Sequence, residues 1–311
     1  MDIFLLTAAG SRLDLPPFTA WELRRTGSVP CDSFQGTCPW EGPPDPALRE
    51  SCRLLAEEGG ARRFTGVVDE CRLTWDRGGG ALELAARGLA ALLLDNGSPA
   101  MDYQLATLSD ILRDHVKPLG LQVARADPFP AVPGFSVSSG SSRWQVLSRF
   151  VQCCGGEPFF DAAGALTVAA GWEGKLWKLG PRTAFTALAW QDKRYGVLSQ
   201  VLVQDRRTQS SQTLQNEAFT AQGLRRSQVP LLPGKNSPGA LARSGRALLE
   251  QSARQRFRLE LTLPDLSPIG PGDRVELALE NPRLTGLYRV LESRTALDGK
   301  GLSTTLTLEG S

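Results

Sequence analysis

Histidine is almost missing from this chain, since His115 is the only one among 311 residues. A hydrolase of the Ser-His-Asp kind needs a histidine base beside its nucleophile, so only His115, next to Asp114, could serve in such a site. The chain also has no Gly-x-Ser-x-Gly segment and no Gly-Lys-Ser/Thr phosphate loop, because Gly234-Lys235 is followed by Asn-Ser. We therefore predict no catalytic residue, and we expect His115 to be an exposed or partly packed helical residue.

Cysteine is scarce, and its spacing does not suit a metal site. The six cysteines are Cys31, Cys38, Cys52, Cys71, Cys153 and Cys154. The first four lack the short paired spacing of a zinc ribbon, and dense disulfide scaffolds belong to short secreted domains. We predict buried reduced thiols, no metal site, no cofactor and an origin in a reducing cytoplasm.

Neither sign of charge is in excess, since 35 Lys and Arg residues face 33 Asp and Glu residues for a net charge of +2. A dedicated nucleic-acid surface, or one for anionic membranes, usually shows a strong basic excess. The chain has no run of about 18 apolar residues, and Met1 to Gly10 lacks the basic start of a signal peptide. We expect a soluble protein without an export signal.

Two kinds of charged cluster are candidates for chemistry or binding. Glycosidases need two carboxylates across a cleft, but Asp69-Glu70 and Glu57-Glu58 are adjacent pairs, and neighbours on a strand point to opposite faces. A basic cluster on the last helix and the strand after it comprises Arg243, Arg246, Arg254, Arg256 and Arg258. We predict solvated carboxylates, and for the arginines a solvated face or a protein interface rather than a nucleic-acid site.

What the chain does contain is a hairpin pattern that occurs twice. Without a gap, Val68, Glu70, Arg72, Asp76, Gly79 and Leu84 match Val290, Glu292, Arg294, Asp298, Gly301 and Leu306. Each copy has an aromatic residue, an alternating strand, a Gly-rich turn and a second strand. Because hairpins reuse the same turn residues, two unrelated hairpins remain an alternative. We favour one β-module carried twice.

The order of patterns along the chain indicates a mainly β protein of the α+β class with three units: 1–96, 97–182 and 183–311. The first is β-rich and ends in a short helix at 89–94, followed by a stop at Asp95-Asn96-Gly97. The second has one helix with apolar residues from Leu105 to Val116 and another that starts at Ser141 or Ser142 and stops at Gly155-Gly156. A small hairpin at 159–169 follows.

The third unit resumes the alternating pattern from Phe185 and continues as a strand at 197–205. The polar stretch at 208–222 predicts a long loop or an extended arm. A helix begins at Ser237-Pro238 and runs through Ala253, and strands at 257–263 and 275–279 precede the second copy of the hairpin.

Several of these segments resemble phage tail hub proteins of the PBSX type, which are related to the hubs of Mu-like contractile tails (the late control/tail hub family). The resembling segments are 84–88 with 92–96, 107–120, 135–137, 140–144, 161–166, 271–275 and 288–290. The order of these segments carries the likeness, which covers most of the chain from Phe64 onward, whereas the first sixty residues match only in general pattern. Where the family often has Gly-Arg-Ser, this chain has Ala86-Arg87-Gly88.

The resemblance implies two related β-barrel domains of the tail-tube type with an α+β insert between them. It implies a non-enzymatic structural hub, a homotrimer whose six β-units form a pseudo-sixfold ring between the hexameric tail tube and the trimeric spike. The implied partners are the tail tube, spike and other baseplate proteins, the tape-measure protein and, only non-specifically, passing DNA. The implied location is the baseplate of the virion tail, after assembly in the bacterial cytoplasm, with no part of the chain integral to a membrane.

Three other functions stay open at this point. A tail-associated cell-wall hydrolase would need catalysis by His115 or an acidic residue. The hub part of a non-contractile tail tip would share the fold. A carbohydrate-binding module would expose aromatic side chains such as those of Trp172, Trp177 or Trp190.

Overall fold

The computed structural model describes residues 1–27, 31–171, 174–232, 236–254 and 256–310. About half of the chain is strand, 49%, and 19% is helix. The mainly β class predicted from the sequence is thus confirmed. In the described part of the chain no sheet closes into a barrel. The two β-units instead join edge to edge in one open 13-stranded sheet.

The first β-unit contains seven strands and ends in a short helix. Its elements are β1 (Asp2–Thr7), β2 (Arg12–Asp14), β3 (Ala20–Thr26), β4 (Ser33–Pro39), α1 (Pro46–Glu50), β5 (Ser51–Glu58), β6 (Ala61–Asp76), β7 (Gly79–Gly88) and α2 (Ala91–Asp95). Alternate residues of the strands point to one face and enclose an apolar core that includes Phe34, Phe64 and Leu82. The helix predicted at 89–94 is confirmed as α2.

The central unit packs two helical segments on two small sheets. Its elements are β8 (Met101–Ala106), α3 (Leu108–Ile111), a π-helical turn (Leu112–Val116), a 3₁₀ turn (Lys117–Leu119), β9 (Val123–Ala126), β10 (Val132–Val137), α4 (Arg143–Cys153), β11 (Glu157–Phe160) and β12 (Leu166–Ala169). Ser142, one of the two caps that the sequence predicted, caps α4 by accepting a hydrogen bond from the Gln145 N–H. Gly120 ends the other helical segment with a φ of 70°.

The segment that follows holds two strands of the large sheet and a small layer of its own. Its elements are β13 (Leu176–Leu179), β14 (Ala187–Asp192), a 3₁₀ turn (Arg194–Gly196), β15 (Gln200–Asp205), β16 (Ser211–Gln215), α5 (Glu217–Thr220), β17 (Ser227–Gln228), β18 (Leu231–Leu232) and α6 (Pro238–Arg254). The prediction of a long loop or an extended arm at 208–222 is wrong for the loop, because β16 is an extended strand that pairs with β15 and buries part of Leu214 beneath α6.

Side chains of β15 and α6 join the core of the central unit. Val201, Val203 and Leu241 belong to the same apolar cluster as Phe135 and Phe150. The division at 1–96, 97–182 and 183–311 stays a prediction, and the packing adds that apolar residues of β15 and α6 share the core of the central unit.

The last segment completes the large sheet. Its strands are β19 (Phe257–Leu263), β20 (Arg274–Leu279), β21 (Leu284–Asp298) and β22 (Gly301–Gly310). They enclose a third apolar core around Leu261, Val275 and Leu306. The large sheet has the order β14-β19-β22-β21-β3-β4-β7-β6-β5-β1-β2, with β20 beside β21 and β13 beside β20. Within the described ranges, no helix is both long and apolar enough to span a membrane.

Candidate functional site

The two β-units repeat one arrangement of strands. The first has the order β3-β4-β7-β6-β5, and the second has the order β14-β19-β22-β21-β20. In each unit the long strand pairs with the strand that follows it in sequence, β6 with β7 from Gly66 to Asp76 and β21 with β22 from Tyr288 to Asp298. Its first half also pairs on the other side, with β5 or β20. The repeat seen in the hairpins therefore extends to five strands.

The two hairpins match in register as well as in order. In the first, Val68 pairs with Ala86, and the register then shifts by one residue before Glu70. In the second, Val290 pairs with Leu308, and the same shift precedes Glu292. A β-bulge thus falls at the same place in both copies.

The turns of the two hairpins also match. The Asp76 Oδ1 accepts a hydrogen bond from the Gly78 N–H at 2.6 Å, and the Asp298 Oδ1 accepts one from the Lys300 N–H at 2.7 Å. Gly79 and Gly301 close these turns with φ angles of 115° and 105°. Shared turn residues alone could be chance, but the shared bulge, register and strand order indicate one module carried twice.

The second half of β21 joins the two units within the chain. It pairs antiparallel with β3, from Glu292 opposite Thr26 to Leu297 opposite Trp21, and we call this pairing the internal seam. The guanidinium of Arg24 donates to both carboxylate oxygens of Glu292, at 2.7 and 2.9 Å. A second ion pair, Arg294 with Glu22, crosses the same seam.

The matching half of β6 and the matching strand β14 lack such a neighbour in the described part of the chain. From Glu70 to Asp76, β6 pairs only with β7, and β14 pairs only with β19. Both of these open edges carry large apolar side chains. Trp75 on β6 is 53% exposed and Trp190 on β14 is 62% exposed. Exposed edge strands of this kind readily accept another strand.

One face of the large sheet, opposite the apolar cores, is polar and of mixed charge. Its charged members include Glu22, Arg24, Glu70, Arg72, Glu83, Glu260, Glu292 and Arg294. Acidic and basic side chains pair across neighbouring strands, as Arg72 and Glu83 do at 3.6 Å. We call this the polar face. Because five of these eight residues are acidic and three are basic, the face offers no strong positive field to a polyanion.

His115 is fully buried, so the expectation of an exposed or partly packed residue is wrong. Its Nδ1 lies 3.1 Å from the Ser98 hydroxyl and its Nε2 lies 3.1 Å from the Tyr103 hydroxyl. Because the Tyr103 hydroxyl donates its one proton to Asp114 at 2.9 Å, we assign the proton of the neutral imidazole to Nε2. Burial lowers the pKa of His115, and the nearby Asp114 carboxylate opposes this only in part.

This histidine network ties elements together rather than opening to solvent. The Arg143 guanidinium donates to the backbone oxygens of Asp114 and His115 and so joins α4 to the π-helical turn. A cleft of about 710 Å³ lies between the large sheet, the central unit and α6. Within the described ranges, His115 is not part of its lining. The sequence signal for burial was present, because His115 follows Ile111 by four residues and Leu112 by three and so shares their apolar face.

The adjacent carboxylates are mostly held in ion pairs. Asp69, the bulged residue of β6, accepts two hydrogen bonds from Arg87, which also binds Asp95 at the end of α2. Arg87 thereby lowers the pKa of Asp95. Glu57 pairs with Arg62, and Glu58 pairs with the N-terminal amine. These carboxylates act as structural links between strands.

The five arginines predicted as one cluster do not form one free surface. Arg243 and Arg246 are exposed on α6, whereas Arg254 and Arg258 are half-buried. Arg256 binds Asp192 of β14 at 2.8 Å and lies over the ring of Phe257. With Arg194, Arg256 lowers the pKa of Asp192 to about 2. This arginine therefore fixes the open edge of β14.

The cysteines are free thiols, but not all are buried. Cys38 and Cys153 are buried and Cys31 and Cys154 half-buried, while Cys52 and Cys71 are exposed, so the expectation of burial is wrong for the last two. Burial raises the pKa of Cys153 to about 12. Among the described residues no group of three or more His, Cys, Asp or Glu side chains is placed to hold a metal ion.

Of the three candidate tryptophans, the two that the structure describes do not form a carbohydrate platform. The Trp177 indole N–H donates to the Asp273 carboxylate at 2.9 Å, which holds the ring against the third core. Trp190 stacks on Phe257 at the open edge of β14. Trp172 lies outside the described residues.

Two β-units in one sheet, with an α+β unit between them, form the fold of phage tail proteins of the hub type. The resemblance found in the sequence is confirmed at the level of the fold. The chain is similar to the tail protein of Neisseria meningitidis, with a TM-score of 0.81 at 18% identity over 99% of this chain and 96% of that one. It is also similar to the 43 kDa tail protein of prophage MuSo2 from Shewanella oneidensis, with a TM-score of 0.74 at 16% identity over 99% and 98%.

A third similar structure comes from a secretion machine. The E. coli c3393 protein, a type VI secretion component with structural similarity to the T4 tail proteins gp27 and gp5, has a TM-score of 0.62 at 14% identity. The alignment covers 94% of this chain and 73% of that one. No family model matches the sequence, and no curated protein matches it either.

Proposed function

We propose that this protein is the structural baseplate hub of a contractile phage tail or of a related phage-like particle, and not an enzyme. Three copies form a ring that joins a hexameric tail tube to a trimeric spike. The observation that carries the proposal is the duplicated five-strand module whose two copies share one sheet. Three chains of this kind present six similar units, which is the number that a sixfold tube requires.

The fold supports a place for this protein in a phage tail or a related particle. Its similar structures are tail proteins and a secretion component that itself resembles tail proteins. A solved PdpA–VgrG complex contains a chain of this fold as well, with a TM-score of 0.60 at 11% identity over 99% of this chain and 64% of that one. On this basis the partners of the ring are a tube protein, a spike protein and other baseplate proteins. The protein is assembled in the bacterial cytoplasm and resides in the virion tail.

The polar face suits the wall of a lumen. Its paired charges would contact passing DNA or the tape-measure protein only weakly, because a strong positive field would retain a polyanion. In this arrangement the apolar cores lie outside the lumen. The central unit then faces outward or downward, where it can brace a neighbouring copy or receive the spike.

The test is the solution mass by light scattering, for the protein alone and mixed with the trimeric spike protein of the same phage or particle. We expect three chains of 33.6 kDa per particle, or a complex of three with three. A protein that stays monomeric with and without the spike would contradict the ring. A peptidoglycan-release assay separates the hydrolase alternative: turnover that is lost on His115→Gln would contradict the purely structural function.

A further inference from the structure

We infer that β14 of one copy pairs with the exposed half of β6 of the next copy, in the register that the internal seam already displays. This inference rests on the proposed ring and adds which edges meet and which residues face each other. We call this pairing the external seam. Its partner is therefore a second copy of this chain.

The edge of β6 is equivalent to the edge that β21 gives to β3. Because the two hairpins share their register and bulge, Cys71 corresponds to Ser293 and Leu73 to Thr295. Ser293 and Thr295 are 3% and 5% exposed beneath β3. Cys71 is exposed and Leu73 only half-buried. The same position is thus covered in one unit and open in the other.

The edge of β14 is equivalent to the edge of β3. The chain of pairings runs from β22 through β19 to β14, and from β7 through β4 to β3. When residues are followed across both series of paired strands, Trp190 is equivalent to Leu23 and Gln191 is equivalent to Arg24. Leu23 is 4% exposed within the internal seam, and Trp190 is 62% exposed. Trp190 is therefore exposed at the position where its counterpart Leu23 is buried in the internal seam.

Transferring the register of the internal seam fixes every facing pair. On the apolar side, Leu73 faces Trp190 and Trp75 faces Leu188. Each of these two pairs sets an aromatic ring against a leucine, and such cross-strand pairs stabilise a sheet. The third pair on this side sets Cys71 opposite Asp192, whose carboxylate is already bound by Arg256 and Arg194. The two exposed tryptophans on the open edges would be covered together.

On the polar side the transferred register brings together compatible residues. Glu70 faces Lys193, so opposite charges meet where Glu292 faces Thr26 in the internal seam. Arg72 faces Gln191, and Thr74 faces Ala189. In this register no two like charges oppose each other on this side, a condition that a wrong register would not guarantee. The external seam would also continue the polar face from one copy to the next.

Disulfide cross-linking tests the register directly. Facing residues of antiparallel strands have Cα atoms about 4.5–5.5 Å apart, which lies within the reach of a disulfide. The variant Thr74→Cys/Ala189→Cys is made with Cys52→Ser and Cys71→Ser to remove the exposed native thiols. After mild oxidation of the protein alone and of its mixture with the spike, we expect a covalent trimer on non-reducing gels.

The internal seam supplies a matched control. Ala296 corresponds to Thr74, and Glu22, which it faces, corresponds to Ala189. The variant Glu22→Cys/Ala296→Cys should therefore oxidise within one chain and remain at monomer mass. The variant Thr74→Cys/Leu188→Cys places the two thiols on opposite sides of the external seam, and we expect at least a tenfold lower yield of cross-linked chains.

The outcomes separate this inference from the proposed function. A trimer by light scattering that fails to cross-link at Thr74→Cys/Ala189→Cys, while the internal control oxidises, overturns the external seam and leaves the ring intact. A cross-linked ladder that continues beyond three chains supports the seam and overturns the closed trimer. Monomers without cross-links, with and without the spike, overturn both.

Discussion

Arg24 and Glu292 lie 268 residues apart in sequence and yet form a two-bonded ion pair across the internal seam, with the Arg24 Nε 2.7 Å from the Glu292 Oε1. Glu292 raises the pKa of Arg24, first of all through this hydrogen bond. The Arg24 side chain is half-exposed, so water and salt weaken the pair. The pair nonetheless marks the point at which two separate β-units become one sheet.

A double-mutant cycle measures this pair. We expect Arg24→Gln and Glu292→Gln to show a coupling of about 0.5–1 kcal/mol in the free energy of unfolding, because the geometry is bidentate although the site is half-exposed. Denaturant unfolding of both single variants and the double variant gives the coupling, and 1 M salt should reduce it. The exposed local pair Arg12 and Asp14 serves as control, with a coupling near zero. Equal coupling in both pairs would contradict the role of the seam.

Because the two hairpin turns match, we expect a glycine-to-alanine substitution to lower the free energy of unfolding by a similar amount in both. Gly79→Ala and Gly301→Ala should each destabilise the protein by about 1–2 kcal/mol, because an L-residue is strained at a positive φ. Gly299→Ala provides the control, since it adds a methyl group to open space without a positive φ. Denaturant midpoints decide the matter. Clearly different costs at Gly79 and Gly301 would mean that the two turns are less alike than their register.

Phe34 is the centre of the first apolar core. Its ring is fully buried, 5.7 Å from that of Phe18 and 6.2 Å from that of Phe64. We expect Phe34→Ala to cost about 3–5 kcal/mol, because it leaves a cavity among aromatic rings, and Phe34→Leu to cost less. Leu105→Ala, at a site 58% exposed, should stay within about 0.5 kcal/mol of the wild type. Thermal or urea unfolding gives the change in the free energy of unfolding. A small change for Phe34→Ala would contradict the prediction and show that this core tolerates the cavity.

The buried histidine predicts a pH dependence. Burial holds the pKa of His115 below its ordinary value of about 6.5, so the unfolded chain takes up a proton first as pH falls. The contribution of neutral His115 to stability is complete above pH 6.5 and is lost as pH falls toward its lowered folded pKa.

The variant His115→Gln removes this titration. It should be less stable than the wild type at pH 8, because Ser98 and Tyr103 lose a partner, and the difference should shrink as pH falls below about 6.5. Unfolding curves at several pH values test this expectation, with Lys117→Gln as an exposed control on the same helical segment. A difference that stays constant with pH would show that His115 is not held neutral.

Local signals let the sequence predict much of this fold. Ser142 could be identified as a cap because a serine three residues before Gln145 has a known role at helix starts. The hairpins could be matched because turn residues and alternation are local. The stretch at 208–222 was assigned wrongly because its Gln, Ser and Thr residues suggest a loop, although β16 needs only Leu214 to contact α6.

The seam lay beyond such reasoning. The residues around Trp21 give no signal that β3 will pair with β21, where Leu297 lies opposite Trp21. Strand pairing over such a long separation depends on the whole tertiary arrangement. The bulge at Asp69 was equally hidden, because only pairing with a partner reveals an extra residue. The open edges of β6 and β14 are recognised by comparison with the internal seam, and the shared bulge fixes the register of that comparison. Both therefore require the two units to be compared in three dimensions.

The pairing of β3 with β21 also sets an order of events during synthesis. At roughly 5–20 residues per second, the ribosome needs on the order of 15–50 s to make the chain between the two strands. During that time β3 has only β4 beside it, and its other edge has no strand to pair with. A nascent chain therefore carries an unpaired strand edge at β3, which a chaperone could shield until β21 leaves the ribosome.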